Sequence, residues 1–591
     1  MSVQSISERA RLTASVTGSA GLAVKRLFRS RLMRWRYRGP AINQLILVPQ
    51  DLRTADPSFF SEIYHGQCGL AGRVAYIGTA SPFEVLPPSA EWEIELHGFG
   101  WLRNLTAAGD QIAREHARAL VRDWISMHRQ MSGISWRAEI VARRVISWIS
   151  HSSLLLQGAD TDHYDTVMES LAEQIRFLRN HWREAPEGDP RLTALIALQL
   201  AGLAAAEFGS LPEETGRAFS GELRRQVLPD GGHVSRNPSV LIELLLDLLP
   251  LKQCFISRDV PPPQELVAAI DRMMPMIRFF RMGDGSLARF NGCGVTVTDA
   301  LATVIAYDDN ASEPVAFAEP SGYCRLEQAG TVVIADVGPA PPASYSAAAH
   351  AGCLSFEMST GGFPVIVNCG APAQQDPDWR RVVRTTVAHS TLSVGNEASA
   401  RFLAAPIGES TDRVCGPGRV AASMVREENG LSLSASHDGY ESRFGIVHHR
   451  RLVLSPNGDL LEGEDKLVAP QGLKGEARGT NGAFLIRFHL HPDVRPVPDE
   501  NGKTVLLVLR DNTAWALESR LGRIDLEPSA FLADERGPRS SWQAVIRGGF
   551  QKDAREVRAD WLLSPAPGNF DWAALVEEAG GPMPEEATET A

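Results

Sequence analysis

The chain has 591 residues, 44% hydrophobic and 22% charged, which excludes disorder as its main theme and is too long for a single hydrophobic core. A formal net charge of -12 excludes an overall electrostatic footprint for nucleic acid, so an anionic polymer would have to meet a local basic cleft. Seven cysteines scattered between Cys68 and Cys415 are an odd number without framework spacing, which predicts reduced thiols.

In chain order, residues 1–90 read as an N-terminal extension. Within residues 24–38, seven Lys and Arg residues surround Val24, Phe28, Leu32 and Trp35 at helical spacing. This pattern suits either a basic amphipathic helix on an anionic membrane surface or a solvated capping helix. No run of about 18 apolar residues occurs and no signal core opens the chain, so the expected location is cytoplasmic. Residues 91–315 form a procession of helical patterns, among them Ala138 to Ser153, Tyr164 to His181, Leu192 to Phe208, Glu213 to Leu228 and Ser239 to Leu249. Their apolar residues recur every three or four positions, and several begin just after Pro or Asp. The pattern predicts hairpins of antiparallel helices.

From residue 316 to 565 the pattern changes to short β-branched runs such as Thr331 to Ala335, Pro364 to Val367, Phe484 to Phe488 and Val505 to Leu509, separated by turns such as Pro456-Asn457-Gly458-Asp459. About 240 residues of this kind predict a large antiparallel β-sandwich. The Pro-, Glu- and Ala-rich residues 566–591 read as a disordered acidic tail.

Three polar stretches stand near the start of the β-region: Ala347 to Glu357 with His350, Val367-Asn368-Cys369-Gly370, and Arg384 to Thr391 with His389. Upstream lie Trp92, His97-Gly98-Phe99-Gly100-Trp101-Leu102, Arg144 to Ile149, and Leu228-Pro229-Asp230-Gly231-Gly232-His233. Together these resemble the heparinase II/III-like polysaccharide lyases from about Glu91 to Pro565. The resemblance implies an incomplete (α/α) toroid followed by a β-sandwich, and β-elimination on a uronic-acid glycan; the family is often periplasmic. That chemistry requires a group to neutralise the uronate carboxylate, a base to remove the C5 proton and an acid for the departing O4.

The resemblance nominates His350, His389 and Tyr440 as catalytic, and Arg384 joins them because a guanidinium fork suits a carboxylate. His97, His233 and Asp189 by resemblance, Arg143 by the same fork and Trp92 by stacking on sugar rings are nominated as substrate-binding. The competing readings are Tyr440 packed against a neighbouring sheet, Arg384 and Arg143 in salt bridges at the domain interface, His233 capping a turn and Trp92 in the core. His350, Asn368 and His389 match positions that can hold a structural metal such as zinc, although an amide oxygen is a poorer zinc ligand than a carboxylate. A hydrogen-bonded histidine pair is the competing reading. Three positions depart from the family pattern: Asp189 replaces an Asn and would repel a uronate, Val240 replaces a Tyr, and Ala348 replaces a His. The expected function is therefore a lyase on an acidic glycan, with a catalytically degenerate glycan binder and a glycoside hydrolase using Asp189 and Glu357 as alternatives. The four nominated catalytic residues are expected to share a cleft between the two regions, whereas the oligomeric state is not readable.

Overall fold

The computed structural model describes residues 37, 39–308, 313–372, 377–404, 411–551, 553–568 and 570–578. The basic segment 24–36 and residues 579–591 lie outside them. Helices dominate as far as Thr298–Ala306, and every strand pairing is antiparallel. The fold is an incomplete helical toroid followed by a β-sandwich. No described helix is long and apolar enough to cross a membrane.

The helical patterns become Ala138–Ser150, Thr161–His181, Asp189–Ala204, Leu211–Gln226 and Pro238–Ser257. Asp160 caps the second of these through the His163 N–H at 2.8 Å, and Pro stands in the first turn of the last three, where its missing N–H costs no hydrogen bond. Pro238–Ser257 runs through Pro250 and so is longer than its predicted stretch. Its run of buried leucines, Leu244, Leu245, Leu246, Leu248 and Leu249, supplies the packing that offsets the lost bond.

One Arg sits at the centre of this region. Arg144 is fully buried; it donates to Gln174 at 2.7 Å and to the carbonyls of His97 and Ser135, and stacks 4.0 Å over Trp124. Trp92, Trp101, Trp136 and Trp148 are buried around it.

The β-region forms an eight-stranded and a nine-stranded sheet. Strands Thr331–Asp336, Phe363–Val367, Phe484–Leu490 and Thr504–Val508 match the predicted runs. The predicted turn at Pro456 joins Val447–Leu454 to Leu461–Val468. Gly458 there has φ 67°, and a Cβ would lie 2.2 Å from the Gln328 carbonyl, so no other residue fits.

Between the sheets Asp465 is fully enclosed. It accepts from His448 at 2.7 Å, from Arg450 at 2.8 and 2.9 Å and from Trp561 at 2.9 Å, while His448 meets His437 at 3.3 Å. Burial works to raise its carboxyl, but Arg450 and His448 outweigh this and hold it below the usual carboxylate range.

Part of the predicted tail departs from expectation. Trp572–Glu578 is helical, because Trp572 donates to the Asp493 carbonyl at 3.1 Å and lies under Arg495 and Arg510. This helix packs beside Arg495–Pro498, the edge strand of the eight-stranded sheet.

Candidate functional site at the seam between helices and sheets

Two turns fasten the regions together. In Asp230-Gly231-Gly232-His233, Asp230 accepts from the Ser321 N–H and hydroxyl, both at 2.8 Å. A Cβ on Gly231 would come within 1.9 Å of the Arg272 carbonyl and one on Gly232 within 1.9 Å of the Ser321 hydroxyl, so close approach demands both glycines. Arg236, just beyond, pairs with Asp336 at 2.6 Å and donates to the carbonyls of Ser321, Gly322, Gly338 and Pro339. Asn291 reaches the His350 N–H at 3.1 Å. These long-range fasteners leave the turn 343–350 facing the first turns of Asp189–Ala204 and Pro238–Ser257, since Gly188 lies against the Tyr345 ring and Gly292 against both Ala348 and Asn237.

His350 and His389 do meet, with Nδ1 of the former 3.1 Å from Nε2 of the latter. His389 Nδ1 donates to the Thr385 carbonyl at 2.8 Å. A neutral His389 therefore accepts at Nε2, and His350 donates to it. Burial pushes His389 down to about 4 and His350 well below the usual imidazole range, with His389 and Arg384 adding to the second shift. Packing is tight: a Cβ on Gly352 would fall 2.6 Å from the His389 ring.

Asn368 completes no metal set. Its carbonyl oxygen accepts from the Ser390 N–H at 2.9 Å and its NH2 group donates to the Arg289 carbonyl at 3.2 Å. No group of three or more His, Cys, Asp or Glu converges on a metal-sized space among the described residues. Two imidazoles already bonded to each other, with no carboxylate, do not fit zinc.

The other nominated residues mostly take the competing readings. Tyr440 is fully buried in the sandwich and donates to the Leu392 carbonyl at 3.1 Å, so it offers no phenol to a cleft; burial raises its hydroxyl well above the usual range. Arg384 is spent on the carbonyls of Ala349, Ser346 and Asp412 at 2.9, 3.2 and 2.8 Å. It pins the turn through Nε and Nη2, and burial lowers it to about 10.

Trp92 is inside the helical core, donating to the Cys68 carbonyl at 3.0 Å. His97 is buried too, accepting from Trp124 at 3.1 Å, and burial with His128 and Arg144 lowers it to about 3. Arg143 makes a bidentate pair with Asp247 at 2.9 and 2.7 Å. His233 is enclosed between Ser235 and Gln226, and Gln226 in turn donates to the Gly188 carbonyl at 2.8 Å. Through Gln226 it is tied to the start of Asp189–Ala204. Glu357 is fully buried against Arg289 at 3.1 Å, which removes it as a hydrolytic acid.

Asp189 alone of the nominated groups faces solvent. Protein nevertheless surrounds it on its other sides, and this burial raises its carboxyl despite the opposing influence of Arg143. Ala348 is exposed and Val240 half-buried. Sequence reasoning missed Tyr345, half-buried with its ring 3.5 Å from where a Gly188 Cβ would stand. Its only signal was a place five residues before His350.

A family model described as Heparinase II/III-like, C-terminal, matches residues 310–560. Over 563 residues the chain is 33% identical to FtsZ-localized protein C of Caulobacter vibrioides, covering 93% of this chain and 95% of that protein. The chain belongs to the heparinase II/III-like family. Its fold matches a crystal structure of heparinase III with a TM-score of 0.67 at 15% identity, over 91% of this chain and 89% of that one. Heparan sulfate lyase HepC (a mutant) from Pedobacter heparinus matches with a TM-score of 0.60 at 17% identity, over 95% and 89%. In this heparinase II/III-like chain the polar stretches that carry the resemblance make hydrogen bonds across the seam.

Proposed function

We propose that this chain is a heparinase-fold protein that binds a glycan at the seam and does not cleave it. The observation that carries the reading is the chemistry of the seam's solvent side. Val240 and Ala348 carry no proton-transfer group, and every nearby guanidinium is engaged: Arg143 and Arg53 with Asp247, Arg225 with Glu222 and Arg191 with Glu187. Elimination needs a base and a cation or neutral donor for the uronate; Val240 and Ala348 leave the family's base positions empty, and the nearby guanidiniums are already paired. The fold's neighbours include heparan sulfate and heparin-type lyases, which supports a glycan as the ligand and acidic glycans as the first substrates to test.

The test is ultraviolet absorbance at the unsaturated-uronate band during incubation with heparan sulfate and chondroitin sulfate. No rise is expected from the natural chain. A rise that disappears in His350→Ala would overturn the reading and restore the lyase. In the positive direction, Val240→Tyr with Ala348→His returns a phenol and an imidazole to the solvent side, and a gain of turnover in that variant supports loss of an ancestral reaction.

A second reading rests on the nearly full-length match to FtsZ-localized protein C. It supports localisation with FtsZ for this chain, checked by a fluorescent fusion at the division plane and by co-sedimentation with purified FtsZ filaments. The basic segment 24–38 is proposed to rest on anionic lipid, a contact that binding to anionic vesicles at rising salt would test.

A further inference from the structure

The seam's ligand class can be read from its charges, and this step rests on the glycan-binding reading above. Five carboxylates gather around the start of Asp189–Ala204 and the neighbouring helices: Glu187, Asp189, Glu222, Glu243 and Asp247. Four of them are matched by arginines, Glu187 by Arg191 at 3.3 Å, Glu243 and Asp247 by Arg53 at 3.1 and 2.7 Å, Asp247 also by Arg143 at 2.7 Å, and Glu222 by Arg225. Glu187 and Glu243 are exposed like Asp189, but Asp189 alone of the three makes no ion pair within 4 Å and accepts from no other side chain among the described residues. The guanidinium best placed to serve it, Arg143, is locked in its bidentate pair, with its partner Asp247 nearly enclosed at 4% side-chain exposure.

A uronate or sulfate entering here would meet an unneutralised carboxylate and no available cation. A sugar hydroxyl would meet a strong acceptor.

Tyr345 supplies the second half of the surface. Arg413 donates to the carbonyls of Ala343 and Ser344, both at 3.0 Å, and Arg384 to that of Ser346, so the turn is fixed from behind. The ring stands against Gly188 next to Asp189, with one side half-open. Its hydroxyl is shielded from water and makes no hydrogen bond of normal geometry, with the Arg225 guanidinium alongside. A flat aromatic face next to a lone acceptor suits the apolar face and the hydroxyl edge of one pyranose ring.

We propose that Asp189 and Tyr345 form a subsite for an uncharged, hydroxyl-rich sugar and that Asp189 rejects uronate- and sulfate-bearing chains. The full-length protein is titrated by calorimetry with two sets of defined tetrasaccharides, one uncharged (N-acetylglucosamine, glucose and mannose oligomers) and one bearing uronate or sulfate. Binding is expected from the uncharged set, weakened about tenfold or more by Asp189→Ala and by Tyr345→Ala, and by less than about threefold in Tyr345→Phe, which keeps the ring. Asp189→Lys should reverse the preference. Circular dichroism melts confirm that the variants fold.

Tighter binding of the acidic set by the natural chain, unchanged in Asp189→Ala, would overturn the ligand class while leaving glycan binding in place. Binding of the uncharged set that neither alanine variant weakens would overturn the placement of the subsite. Binding of neither set would overturn the glycan reading itself and the subsite with it.

Discussion

Two buried imidazole pairs invite comparison. His437 and His448 lie 3.3 Å apart inside the sandwich, and His350 and His389 lie 3.1 Å apart at the seam. The first pair ends on Asp465, a carboxylate shared with Arg450 and Trp561. The second ends on a backbone carbonyl, that of Thr385. An anionic end lets a buried network hold charge, whereas a carbonyl end supplies no counter-charge, so burial keeps both rings neutral. The seam pair is therefore a hydrogen-bonded brace, and the sandwich pair belongs to an ion-pair network on which two sheets depend.

The comparison breaks most easily at Asp465. Asp465→Ala leaves Arg450 and its charge unpaired in the interior, and a loss of about 3–5 kcal/mol is expected, read from urea denaturation of the β-region. Arg384→Ala comes next, since three carbonyls lose their donor; about 2–3 kcal/mol and looser protease protection of the turn 343–350 are expected. His389→Ala should cost about 1–3 kcal/mol by the same measurement and leave ligand binding unchanged. Loss of binding at full stability would show instead that the pair touches ligand.

The neutral rings also set a pH dependence. His389 titrates at about 4 when folded against about 6.5 in an unfolded chain. A depressed imidazole leaves the unfolded state binding more protons, so stability is full above about pH 6.5 and falls as pH drops towards about 4, by up to about 1.4 kcal/mol per pH unit for this group. His233, His97 and His489, each lowered to about 3 by burial, act in the same direction. Melting temperatures between pH 7.5 and 5 should fall, with a shallower slope in His389→Gln. Smallest is Tyr440→Phe, which deletes one bond to the Leu392 carbonyl and should cost about 1 kcal/mol with no change in any glycan affinity.

Much of the fold was legible because periodicity is local. The helices from Ala138 to Ser257 and the strands around Thr331 and Phe484 announce themselves within a dozen residues. The candidate site was legible only in part. The histidines and Arg384 carry the family pattern, but whether a polar group faces solvent depends on partners 28 to 48 residues away, such as Asp412 for Arg384 and Leu392 for Tyr440. Tyr345 has only its nearness to His350 as a local signal, because the docking of Gly188 is what makes its turn part of a surface. Asp189 was the exception: a charge change at a helix start can be seen in sequence, and the structure keeps it in water. The tail erred the other way, since composition argued disorder and one residue, Trp572, overrode it.

The helix that Trp572 anchors has a consequence for how the protein keeps to itself. The eight-stranded sheet ends on Arg495–Pro498, whose unpaired outer side would otherwise invite a strand from another molecule. Pro496 and Pro498 remove two N–H donors from that edge, and the helix Trp572–Glu578 lies alongside it. A chain cut before Trp572 would uncover this edge as a template for strand addition, so the helix Trp572–Glu578 covers the side on which a second molecule could pair.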